Sequence, residues 1–149
     1  MRAREALRKN PVTIRADETI TAAAERMDAQ AVGALVVVDG ERPVGVVTDR
    51  DLVVRGVARR IPPDSRVDYV MSTDPITLDA DADLRDAVQL FRDHAIRRLP
   101  LLEGERMVGM LTVDDLVIDL VSDLADLARP LMGQVLFGHP EPKTPTTAA

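Results

Sequence analysis

One segment of this chain occurs twice. Residues 45–53, Gly45-Val46-Val47-Thr48-Asp49-Arg50-Asp51-Leu52-Val53, recur as Gly109-Met110-Leu111-Thr112-Val113-Asp114-Asp115-Leu116-Val117. The offset, Thr48 to Thr112, is 64 residues, and it holds without a gap back through Leu35/Leu99, Asp17/Asp81, Thr13/Thr77 and Pro11/Pro75. A duplication of this kind decides architecture before any local propensity does. It also implies that a site built by one copy has a counterpart in the other.

Each copy reads as strand, helix, strand, strand, helix. In the second, residues 75–78 are β-prone, and Asp81-Ala82-Asp83 supplies acidic residues for a helix start. Leu84, Ala87, Val88 and Phe91 then follow at i, i+3, i+4 and i+7, one apolar helical stripe. Residues 98–102 and 107–111 read as strands joined by the polar, glycine-containing turn 103–106. Residues 114–127 read as helix. The first copy matches: Ile20, Ala23, Ala24 and Met27 form its stripe, and residues 35–38 and 44–47 flank the turn 39–42. Short helices are expected at 4–8 and 67–71. A Pro62-Pro63 break marks the joining segment. Residues 129–137 are apolar enough to dock on the body or on a second subunit. The tail from Gly138, with three prolines and no apolar periodicity, reads as disordered. One such unit is too small to bury both faces of its sheet; two packed by pseudo-twofold pairing can.

The chain has 149 residues, 46 % of them apolar and 30 % charged, as expected of one compact domain or two small halves sharing a core. No apolar run approaches the roughly 20 residues of a membrane span. The basic N-terminus has no apolar segment behind it, against a secretory signal. With no cysteine, disulfides, thiolate metal sites and a cysteine nucleophile are excluded, and a reducing cytoplasm fits. A formal charge of −6 and three aromatics (Tyr69, Phe91, Phe137) argue against nucleic-acid binding.

The chemistry-bearing pattern is Gly-x-x-Thr-x-x-Asp, as Gly45/Thr48/Asp51 and Gly109/Thr112/Asp115. Threonine at an N-cap with an acid three residues later resembles a capping box. The same geometry can hold a ligand. A helix N-terminus offers free N–H groups to phosphate, the hydroxyl adds a donor, and the aspartate can accept from both hydroxyls of a ribose.

These residues resemble the CBS domain family in its tandem form, the CBS pair or Bateman module. The likeness rests on Asn10-Pro11-Val12-Thr13-Ile14, on residues 32–40 and on residues 45–52. In the second copy it rests on residues 70–77, on His94-Ala95-Ile96-Arg97-Arg98-Leu99-Pro100-Leu101 and on Gly109-Met110-Leu111-Thr112-x-x-Asp115-Leu116. The resemblance implies an α/β (α+β) fold, two β-α-β-β-α motifs packed with pseudo-twofold symmetry into one Bateman module. The motifs would span 5–58 and 67–127, with a linker at 59–66 and an extension at 128–149. It further implies an adenosyl ligand (AMP, ADP or ATP class, with or without Mg²⁺ on its phosphates) in one or both inter-motif clefts. Asp51 and Asp115 would hold ribose, Thr48 and Thr112 phosphate or ribose. Thr13 with Ile14, and Thr77 with Leu78, would flank the base, and Gly33-Ala34 would leave it space. Arg97-Arg98 replace that small pair in the second copy, so the clefts should differ, and these arginines can reach phosphate. A homodimer through helical faces is implied too.

The other candidates read as structural. His94 ends a helix, His139 lies in the tail, and the paired aspartates at 49/51 and 114/115 serve the helix dipole rather than a metal. No Ser–His pair, P-loop or metal cluster is present, so no catalytic residue is assigned and the chain reads as a stand-alone ligand-sensing module, not an enzyme. The alternative is a ligand-free scaffold that binds a protein partner through its surface and C-terminal segment.

Overall fold

The computed structural model describes residues 1–137; His139 and the tail expected to be disordered lie outside them. The described residues fall into two units, Met1–Asp115 and the helical stretch from Leu116 onward.

In the first unit, strand β1 (Thr13–Arg15), helix α1 (Ile20–Gln30) and the hairpin β2 (Ala34–Asp39) and β3 (Arg42–Thr48) form the first copy. The second repeats it as β5 (Leu78–Asp79), α3 (Leu84–His94), β6 (Arg98–Glu103) and β7 (Arg106–Thr112), with β4 (Ser72–Thr73) ahead of it. In each copy the first strand runs parallel to the second and the second antiparallel to the third. The repeat extends to irregularities. Both hairpins carry a register shift, at Val37/Val38 and Leu101/Leu102. Both helices end in a left-handed alanine, Ala31 (φ 53°) and Ala95 (φ 51°), and both hairpins turn through a left-handed glycine, Gly40 and Gly104. Glycine adopts that conformation without steric cost.

The sheets are buried by the side chains the pattern selects. Leu35, Val37 and Val47 in one copy, and Leu99, Leu101 and Leu111 at the matching positions of the other, are fully buried. The helical stripes are narrower than expected. Ile20, Ala23 and Met27 face the core, but Ala24 is exposed; Ala87 and Phe91 are buried, but Val88 is 48 % exposed. Small four- and three-stranded sheets leave room for only two or three buried positions along an eleven-residue helix.

Each copy is completed by the segment that leads into the other. Ahead of the first copy, a 3₁₀ turn (Ala3–Ala6) docks on the second: Ala3 N donates to Ala82 O, Arg4 N to Ala80 O, and Leu84 N to Met1 O. Ahead of the second, the 3₁₀ turn Val67–Tyr69 docks on the first: Val67 N donates to Glu18 O and Ile20 N to Ser65 O. The isolated bridges Arg2–Asp83 and Thr19–Arg66 obey the same exchange. Strand β4 extends the exchange by adding an antiparallel edge to β3, giving a four-stranded sheet β1-β2-β3-β4 beside the three-stranded β5-β6-β7. This crossing is why one copy does not suffice.

The crossing also explains the repeated glycine. A Cβ on Gly45 would lie 2.6 Å from the Ser72 carbonyl oxygen and 2.5 Å from Met71 Sδ; on Gly109 it would lie 2.5 Å from Leu7 Cδ1. A leucine tip can rotate away, whereas a backbone carbonyl in β4 cannot. Gly45→Ala is therefore expected to cost about 2 kcal/mol and Gly109→Ala less than about 1 kcal/mol. Paired thermal melts check the order of the two; a larger loss at Gly109 would contradict it.

One ion pair breaks the symmetry. Arg26 forks onto Glu18 at 2.8 and 3.0 Å and also donates to the Thr13 carbonyl at 3.0 Å, tying α1 to β1. The matching residues of the second copy, Ala82 and Leu90, cannot do this. The Arg26 hydrogen bonds, opposed by burial and aided by the Arg15 amide, hold the Glu18 carboxyl at about 2, down from 4.5. A depressed carboxyl stabilises the fold above its unfolded value and loses that contribution as pH falls from about 4.5 to 2. For a partly exposed pair this is on the order of 2 kcal/mol. Acid titration of Glu18→Gln should show a stability deficit at pH 6 that closes toward pH 2.

After Thr48 the first copy has one α-helical turn, α2 (Asp49–Asp51), then a π-helical stretch, Leu52–Val57. The second copy instead continues into α4 (Val113–Phe137), ten residues beyond the expected end at 127, with Pro130 inside it. The apolar segment 129–137 is thus helical. In the second unit Val117, Ile118, Leu120, Val121, Leu124, Leu127, Leu131 and Met132 are all more than half exposed. Among the described residues, no helix is long and apolar enough to cross a membrane.

Candidate ligand cleft at the second repeat

A cavity of about 300 Å³ opens at the second repeat. One wall is the segment from β4 onward, Ser72, Thr73, Asp74, Pro75 and Ile76. The other is the entry to β6, Ile96, Arg97, Arg98 and Pro100, with Val46 contributed by β3 of the first copy. Its walls are apolar where Pro75, Ile76, Ile96 and Val46 meet and basic at Arg97 and Arg98. A flat heterocycle attached to an anionic group suits such a lining.

The Thr112–Asp115 turn is joined through its backbone to the Arg97–Arg98 wall. Arg98 and Thr112 are register partners across β6 and β7, and the Val113 N–H donates to the Arg97 carbonyl at 3.0 Å. The Thr112 hydroxyl accepts from Asp115 N at 3.1 Å, which aims the aspartate back over the helix start. No hydrogen bond engages the Asp115 carboxylate among the described residues, so it is available as an acceptor. Arg97 reaches Asp114 at 3.1 Å, a bridge whose two side chains are 71 % and 69 % exposed. Such a pair contributes little and yields readily to a stronger anion.

The equivalent turn of the first copy is in a different state. Thr48 and Asp51 form a reciprocal capping box, Asp51 N to Thr48 Oγ1 at 3.2 Å and Thr48 N to Asp51 Oδ2 at 2.9 Å. Asp51 Oδ1 lies 3.8 Å from Arg55 Nε, and Arg55 also donates to the Met71 carbonyl at 3.1 Å. The space over Gly33, expected to receive a base, holds the Asp49 carboxylate, whose Oδ2 would be 3.2 Å from a Cβ there.

The family model of the CBS domain matches residues 3–56 and 67–122, one match per copy. This chain belongs to the CBS domain family. The fold is accordingly a CBS pair, or Bateman module. The uncharacterized protein YlbB of Bacillus subtilis is 38 % identical over 102 residues, covering 67 % of this chain and 68 % of the relative. Among solved structures, Hypoxic Response Protein I, crystallised with two coordinated zinc ions, is similar at TM-score 0.70 and 29 % identity, over 78 % of this chain and 97 % of that one. The CBS domain protein PAE2072 of Pyrobaculum aerophilum, complexed with AMP, is similar at TM-score 0.69 and 28 % identity, over 82 % and 99 %. Among the described residues, no cluster of histidines and carboxylates in this CBS pair could hold a metal ion.

Of the residues singled out from the sequence, Arg97 and Arg98 line the cavity; Thr112 pairs with Arg98 across the hairpin, and neither Thr112 nor Asp115 is among the lining residues. Thr77 lines a neighbouring depression of about 530 Å³ with Arg42, Pro43 and Leu102, and Leu78 pairs with Leu101 in the sheet. Ile14 is 1 % exposed in the hydrophobic core, and the Thr13 carbonyl is taken by Arg26. Ala34 pairs with Thr48 across the hairpin, where Arg98 pairs with Thr112 in the second copy. The wall residues Ser72 to Ile76 fall in the stretch 70–77 that carries the family likeness, but nothing in the sequence marked them for a ligand role. Val46 left no local signal, because it reaches the cavity through the packing of one copy on the other.

Proposed function

We propose that this CBS pair is a regulatory module that binds an adenosyl ligand of the AMP, ADP or ATP class in the cleft at its second motif. The observation that carries this reading is a cavity lined by Arg97 and Arg98, whose backbone is joined to the turn that bears the unengaged Asp115 carboxylate. The likeness to an AMP-complexed CBS protein supports it. In the bound state Asp115 accepts from the ribose hydroxyls. Thr112 and the arginines face the phosphate, and any Mg²⁺ arrives on the phosphates. The base lies between Pro75, Ile76 and Ile96. Binding stiffens the walls contributed by both motifs and so alters the module's surface.

A second copy is the proposed partner of α4, whose exposed Leu120, Leu124, Leu127 and Leu131 recur at helical spacing. Isothermal titration with AMP, ADP and ATP tests the ligand reading, which requires saturable binding of at least one. Absence of binding across the series, with another protein held through α4, would favour the scaffold reading instead.

A further inference from the structure

One wall of the cavity is lightly built. Strand β4 is two residues long, Ser72 and Thr73, and pairs with β3 only at Val46 and Gly45. Residues 74–77 beyond it belong to no helix or strand, and Asp74 is left-handed (φ 50°). A strand this short has too few ladder bonds to hold itself in place. Its anchor is Met71, the residue ahead of it. The Met71 side chain packs on the first core, with Sδ against Gly45. The Met71 carbonyl accepts from Arg55 Nη1 at 3.1 Å, a part-buried contact. Arg55 belongs to the π-helical stretch of the first motif and does not line the cavity. Its Nε also faces Asp51 Oδ1 at 3.8 Å, and Asp51 is itself held by the Thr48 N–H. One guanidinium therefore reaches from the capped turn of the first motif to the wall of the second motif's cavity.

The second copy supplies the comparison. The counterpart of Arg55, 64 residues on, is Asp119, and an ionised carboxylate has no hydrogen to donate to a carbonyl. The counterparts of Ser72 and Thr73 are Arg8 and Lys9. Among the described residues these form no strand, and the second sheet stops at β7. The arginine and the extra edge strand thus occur together in one copy, and neither occurs in the other.

We propose that Arg55 is a positioning residue for the second-motif cleft: by holding the Met71 carbonyl it fixes β4 and the wall beyond it, so the first motif sets the shape of the second motif's cavity. The effect on ligand affinity rests on the adenosyl reading above; the bracing of the wall does not. A bond from a charged donor is of the stronger kind, so its loss frees a segment with little else to hold it.

The experiment compares hydrogen–deuterium exchange of the whole, ligand-free protein with that of Arg55→Ala, Arg55→Lys and Arg50→Ala, and titrates AMP into each. Arg55→Ala is expected to speed exchange about fivefold across residues 71–77 while α3 and β6 keep their protection. It is also expected to weaken AMP binding roughly tenfold. Arg55→Lys, which keeps a donor, recovers most of both. Arg50→Ala removes an equal charge from the preceding turn and changes neither. Exchange that stays slow at 71–77 in Arg55→Ala, or that quickens throughout the first unit, would overturn the brace. Faster exchange at 71–77 with AMP affinity unchanged would overturn the positioning role. Failure of AMP to bind the unsubstituted protein would remove the adenosyl reading and the affinity effect with it, while the exchange result still decides the brace.

Discussion

An Asp115→Ala variant is expected to bind AMP about 100-fold more weakly than the unsubstituted protein, whereas Asp51→Ala stays within about threefold of it. The two aspartates match in sequence but not in state. The Asp115 carboxylate takes no hydrogen bond from the protein among the described residues, so both oxygens can accept from a ribose. Two such bonds to a charged acceptor, each about 1.5 kcal/mol, account for the factor. The Asp51 carboxylate already accepts from Thr48 N and faces Arg55, with its side chain only 17 % exposed. Its removal should instead lower stability by about 1 kcal/mol through loss of the capping box. Titration and thermal melts on both variants separate the effects. An Asp51→Ala protein that loses AMP as strongly as Asp115→Ala would contradict the asymmetry.

Leu99→Ala is expected to destabilise the fold by about 3 kcal/mol, a fall in Tm of roughly 10 °C. Leu99 is fully buried at the centre of the second sheet, paired with Leu111, and shortening it leaves a cavity that neighbouring strands cannot collapse into. Val88→Ala is the informative contrast. Val88 belongs to the apolar stripe read from periodicity but is 48 % exposed, so its truncation should change stability by less than about 0.5 kcal/mol. Urea denaturation of both variants checks the difference; a Val88→Ala loss as large as that of Leu99→Ala would mean that α3 is covered in solution.

The repeat made the pair of hairpins legible because local chemistry repeats with it. Gly40 and Gly104 mark turns that need a left-handed residue, and the runs around Leu35 and Leu99 can only be buried strands. The Thr-x-x-Asp turns were legible for the same reason, since capping depends on neighbours three residues apart. The ends of elements were less so. Helix α4 was expected to stop near Leu127, yet it runs on through Pro130 to Phe137, because proline removes only one hydrogen bond from a ladder its neighbours maintain.

By itself, then, the sequence determined the duplication, the strand–helix order of each copy and the two candidate turns, all set by residues close together in the chain. Only the tertiary structure decided that the leading segment of each copy completes the other, that Val46 of one motif walls the cavity of the second, and that Asp49 rather than open space lies over Gly33. These are contacts between residues far apart in sequence or across a turn. Their outcome depends on which side chain reaches a shared volume first, and no local pattern encodes that.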